Sequence, residues 1–85
     1  MKHASHPEII KRLKRAEGHL RSVITMMEES RPCLDIAQQI NAVEAAIANA
    51  KKELIHDHIE HCLEGEPAHD MKSTLRELKQ LAKYL

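Results

Sequence analysis

PCLDIAQQINAVEAAIANAKKELIHDHIEHCLE, running from Pro32 to Glu64, decides the fold. From Cys33 to Leu63 it holds no Gly and no Pro, and apolar residues recur at helical spacing: Ile36, Ile40, Val43, Ile47, Ala50 and Leu54. That pattern predicts one unbroken amphipathic helix of about eight turns. Cys33 stands at its start, and His58 and Cys62 stand near its end, one turn apart on one face. Two thiols and an imidazole are good ligands for a soft metal ion. At a rise of ~1.5 Å per residue, however, Cys33 and His58 lie roughly 37 Å apart. If the three share a metal, a second copy must lie antiparallel, so that Cys33 of one protomer meets His58 and Cys62 of the other. The spacing then predicts a homodimer with two symmetric sites.

An 85-residue chain makes one small domain with a modest core, for which oligomerisation is a natural source of stability. The sequence has no Phe or Trp, one Tyr and only two glycines, so its apolar content of Leu, Ile, Val, Ala and Met suits a helical bundle. The formal net charge is zero, but unevenly spread. Residues 1–21 carry six Lys/Arg against two acids, whereas residues 53–70 carry six acids and no Lys/Arg. One end of the chain can meet a phosphate backbone, while the other concentrates acids and histidines. No apolar run reaches the length of a membrane span, and the N-terminus has no apolar core typical of a signal peptide. Two distant cysteines make no disulfide framework, and the expected location is a reducing cytoplasm.

The remaining elements follow from breakers and caps. Residues 1–5 read as a mobile arm. Ser5 and Glu8 fit a capping box with Pro7 in the first turn, opening a helix over about residues 6–30. Its expected buried stripe is Ile9, Leu13, Ala16, Leu20, Val23 and Met27. Away from the stripe lie Lys11, Arg12, Lys14, Arg15, His19 and Arg21. Gly18 interrupts this helix and would permit another backbone to approach closely. The second helix is expected over about residues 32–64, ended by Gly65, and the third over about 67–84, with Met71, Leu75, Leu78, Ala82 and Leu85 on one face. The fold class is all-α.

Each motif also has an ordinary reading. A Cys on a helix is usually packing, and a His near a helix C-terminus complements the dipole. Against that stands the density of ligand types, since His56, His58, His61 and Cys62 fall within seven residues. His61, three residues after His58, is placed to face either the site or its rim, whereas His56 points roughly 160° away from His58 and reads as a surface residue. His3 and His6 can fold back as extra ligands. A basic helix face is ordinarily solvated, and this one has no aromatics for stacking on single-stranded bases; duplex DNA gripped through phosphates remains open. There is no glycine-rich phosphate loop and no nucleophile elbow, so an enzyme is not expected.

The segments Arg12-Leu13-Lys14-Arg15-Ala16-Glu17-Gly18-His19-Leu20, Arg31-Pro32-Cys33, Gln38-Gln39-Ile40-Asn41-Ala42-Val43 and His56-Asp57-His58-Ile59-Glu60-His61-Cys62 together resemble the CsoR/RcnR/FrmR family of bacterial repressors. The likeness covers nearly the whole chain. It implies a three-helix protomer, an antiparallel dimer forming a four-helix bundle, and dimers paired into a disc-shaped tetramer. It also implies binding of operator DNA in the apo form through basic residues, here Lys11, Arg12, Lys14, Arg15, His19 and Arg21, with release when the cross-dimer site fills. Glu44 stands where several relatives carry a basic residue.

Within that family the ligand set sorts the effector. Cys33, His58 and Cys62 match the Cys-His-Cys of copper(I) sensors, while an N-terminal His such as His3 or His6 resembles the nickel and cobalt efflux regulators. The reading is therefore a repressor of metal efflux or resistance genes that responds to Ni(II) or Co(II), with Cu(I) as the alternative. A DNA-independent metal-binding bundle is the competing class, and a purely structural helical module a third.

Overall fold

The computed structural model describes residues 5–63 and 71–85, with the side chains of residues 62 and 63 outside the description. Three helices account for almost all of it: α1 (His6–Glu28), α2 (Cys33–Leu63) and α3 (Met71–Ala82), with no strand among the described residues. The protomer is long and flat, 56 × 23 × 13 Å. Helices α1 and α2 form an antiparallel hairpin, and α3 lies against the C-terminal part of α2.

The hairpin closes on residues spaced by sevens. Ile9, Ala16 and Val23 of α1 are buried, as are Ile36, Val43 and Ala50 of α2. Val23, Ile36 and Val43 form one cluster near the turn, with Met26 packed on it. The other half of each expected stripe stays open. Leu13, Leu20 and Met27 of α1 and Ile40, Ile47 and Leu54 of α2 are 39–60% exposed. The reason is angular. Residues four positions after a core residue are turned by about 40° around the helix, out of the two-helix contact and onto a flank. The apolar stripe is wider than a single hairpin can cover.

The helix ends differ from the sequence expectation in instructive ways. Ser5 sits in the helical region (φ −82°, ψ −16°) and makes no side-chain cap bond, so the capping box does not form; Pro7 still occupies the first turn. At the other end α1 stops at Glu28, short of Ser30, because the chain turns left-handed at Ser30 (φ 56°). There the N–H of Arg31 donates to the carbonyl of Met26 (3.0 Å) and the N–H of Ser30 to that of Met27 (3.1 Å). This is a Schellman cap built on Ser where Gly is usual. Helix α3 unwinds after Ala82 through i→i−3 bonds from Lys83, Tyr84 and Leu85. The expected stop at Gly65, the restart at Pro67 and the arm over residues 1–4 lie outside the described residues.

Gly18 does not serve a close approach within the protomer: a Cβ there would meet nothing within 4 Å. It is exposed on the side of α1 away from α2. Gly18→Ala is therefore expected to stabilise the chain by about 0.5–1 kcal/mol, through helix propensity and reduced freedom of the unfolded chain. A urea midpoint above the parent's checks this. A lowered midpoint would mean that another backbone meets Gly18 in the assembly.

Candidate functional site

Three consequences of the fold shape the metal-ligand set. Cys33 is the first residue of α2 and an exposed free thiol. His58 stands near the other end of the same helix. Between them Ile40, Ile47 and Leu54 continue one strip of the helix surface, since steps of seven and four keep residues within about 60°. The candidate ligands therefore border the open apolar stripe. Within one protomer the length of α2 keeps them apart, and among the described residues no three His, Cys, Asp or Glu side chains converge on a metal position.

His58 is already oriented. Its Nε2 lies 2.7 Å from Glu77 Oε1 of α3, a close polar contact that lacks the alignment of a hydrogen bond. The same contact ties α3 to α2. Helix α3 has no buried residue of its own, and only Thr74, Leu78 and Leu81 are half-buried.

His6 falls at the same end of the bundle. Arg12 Nη1 meets Glu53 Oε1 at 2.9 Å across the antiparallel hairpin. Six residues before Arg12, at ~1.5 Å each, His6 is about 9 Å further along, level with the turn of α2 that carries His58. His6, His58 and His61 are half-buried, and His56 is exposed as expected. His3 and the side chain of Cys62 lie outside the described residues.

The basic residues of α1 do not share one face. Lys11, Arg12, Arg15 and His19 line a cleft of about 330 Å³ between α1 and α2, together with Glu8, Ala16, Ala46 and Asn49. Lys14 lies on another flank among Ile10, Leu13 and Glu17. Arg21 is 4.0 Å from Glu17, one turn away. Two members of the cleft are engaged within the protomer: Arg12 by Glu53, and His19, whose Nε2 lies 2.6 Å from Gln39 Oε1. His19 thus clamps α1 to α2. Nothing in the sequence marks Gln39, Glu53 and Glu77 for these contacts. Their partners lie well apart along the chain, on other helices, and no spacing rule joins them.

Comparison with known proteins bears on the family and the fold. Residues 5–84 match the family model for metal-sensitive transcriptional repressors. Over 56 residues the chain is 46% identical to the copper-sensing transcriptional repressor CsoR of Bacillus subtilis, a match covering 66% of this chain and 55% of the relative. Over 67 residues it is 39% identical to the copper-sensing transcriptional repressor RicR of Mycobacterium tuberculosis, covering 73% of this chain and 70% of that one. The stretch shared with the Bacillus protein spans about half of that relative's length. In structure the chain is similar to the nickel-responsive transcriptional regulator InrS, with a TM-score of 0.84 and 32% identity over 100% of this chain and 98% of that one.

Proposed function

The chain belongs to the family of metal-sensitive transcriptional repressors, the CsoR/RcnR family, and from that premise we propose that it holds operator DNA when metal-free and releases it on binding Ni(II) or Co(II). The family is one of repressors, not enzymes. In this reading a second copy lies antiparallel across the open apolar stripe, and dimers pair into a tetramer. Covering apolar surface at about 25 cal/mol per Å² makes such pairing worth several kcal/mol. Cys33 of one protomer with His58 and Cys62 of the other supply two thiolates and an imidazole.

The observation that carries the nickel and cobalt assignment is the level of His6. Three soft donors satisfy Cu(I), whereas Ni(II) and Co(II) take four or more, with nitrogen among them. That level supports His6 as the fourth donor, with His3 just upstream in the sequence. What a bound metal supplies is a fixed charge and a preferred donor geometry. What the protein supplies is the link from His58 through Glu77 to α3, so that a ring drawn onto a metal carries α3 with it. On the other side, Lys11, Arg12 and Arg15 hold phosphates of the operator from the α1–α2 cleft, with His19 at its wall. Lys14 and Arg21 contact phosphates from the neighbouring flank. A metal store would need no such cleft. A repressor works on the chromosome, which places this one in the cytoplasm; no described helix is long and apolar enough to cross a membrane.

Cu(I) is the second reading, favoured by the copper-sensing relatives. The experiment that separates them titrates parent and His3→Ala/His6→Ala protein with Ni(II), Co(II) and Cu(I) against a competing chelator, while following release from a duplex carrying its own promoter. Loss of a nitrogen ligand is expected to weaken Ni(II) and Co(II) by at least about tenfold and blunt their release of DNA. Cu(I) affinity should stay within about twofold, since its three donors are untouched. Equal Ni(II) affinity in the two proteins would instead assign the site to copper.

A further inference from the structure

We propose that α3 carries a second phosphate-contacting surface: Lys72, Arg76, Lys79 and Lys83 form a cationic stripe that lies along the backbone of duplex DNA. The proposal rests on the repressor reading above, and adds to the α1 cleft a surface on a different helix.

Steps of four and three residues set Lys72, Arg76 and Lys79 within a wedge of about 60° and over roughly 10 Å of helix, and Lys83 follows in the turn that ends it. All four are exposed, while the half-buried Thr74, Leu78 and Leu81 lie on the opposite side. The docking of α3 therefore turns the stripe outward. Lys72, Arg76 and Lys79 border a shallow hollow of about 290 Å³ floored by Leu75. The single acid from Met71 to Leu85 is Glu77, and it faces His58. Among the described residues no ion pair engages Arg76, Lys79 or Lys83.

A solvated helix surface ordinarily intersperses both signs. Here like charges sit at i, i+4 and i, i+3, an arrangement that destabilises an isolated helix. A polyanion removes that penalty. The three lysines are point charges suited to phosphates and poor at reading bases, and the guanidinium of Arg76 is a fork that matches phosphate oxygens as well. The binding is thus expected to be independent of sequence and strongly dependent on salt.

The test compares the metal-free full-length parent with Lys72→Gln/Arg76→Gln/Lys79→Gln/Lys83→Gln protein on a mixed-sequence duplex over a range of salt concentrations. Gln keeps helix propensity, so circular dichroism and sedimentation are expected to show unchanged helicity and mass. The plot of log affinity against log salt should flatten by about 0.9 for each phosphate no longer neutralised, about two to four units in all, with at least about tenfold weaker binding at low salt. Restoring charge with Arg at all four positions should recover the slope. An unchanged slope would overturn the α3 surface while leaving the repressor reading intact. A weakened variant whose mass also falls would overturn it too, by assigning the stripe to the acidic face of another protomer. A parent that binds no duplex would sink both readings.

Discussion

Ile47→Glu is expected to take the assembly apart and leave the protomer folded. Ile47 is 46% exposed in the protomer, so a carboxylate there keeps its water and costs the single chain little, within about 0.5 kcal/mol. In an antiparallel dimer the same position falls mid-stripe, between Ile40 and Leu54. Two symmetry-related carboxylates would then be buried without partners, at about 3 kcal/mol each. The dimer dissociation constant should rise at least about a hundredfold. Sedimentation should show monomers at micromolar concentration with helicity retained. Metal affinity should collapse in parallel if each site draws Cys33 from the other protomer, as proposed. The contrast is Ile36→Glu, about three turns earlier on the same helix at a buried position, which should unfold the chain. If Ile47→Glu protein kept its oligomeric mass, the partner would have to sit elsewhere.

Cys33→Ala is expected to produce a repressor that no longer hears metal. Removing the proposed thiolate ligand should cost more than the roughly 10–100-fold typical of groups that only orient a ligand. DNA binding should persist, since Cys33 belongs to neither basic surface. The sharper form of the experiment mixes Cys33→Ala protein with His58→Ala/Cys62→Ala protein. Each parent lacks a complete site, yet the heterodimer holds one intact site and one site without ligands. Tight binding should thus return at half a metal per protomer of heterodimer. Absence of recovery, with exchange of subunits demonstrated, would break the cross-protomer arrangement. Tight binding by a forced monomer would break it as well.

Both expectations rest on features of different legibility. Three helices were readable because their causes are local: an uninterrupted run from Cys33 to Leu63, apolar residues at 3.6-residue spacing, and proline in the first turn of α1. The separation of Cys33 from His58 was equally readable, since the rise of a helix is constant and needs no tertiary information. The capping box was a local inference that failed, because Ser5 is already helical and its side chain makes no cap bond.

What only the tertiary structure decided is how each helix is rotated about its own axis. Periodicity places Leu13 beside Ala16 and Ile40 beside Val43 without saying which of each pair faces the neighbouring helix. Packing chose Ala16 and Val43, and so left Leu13 and Ile40 on the open stripe. The same rotation split the basic residues of α1, sending Lys11, Arg12, Arg15 and His19 to the cleft and Lys14 to another flank. It brought His6 level with His58, joined His19 to Gln39, and set Glu77 against the candidate ligand. A sequence determines the angular spacing of side chains around one helix, but the zero of that angle belongs to the packing between helices.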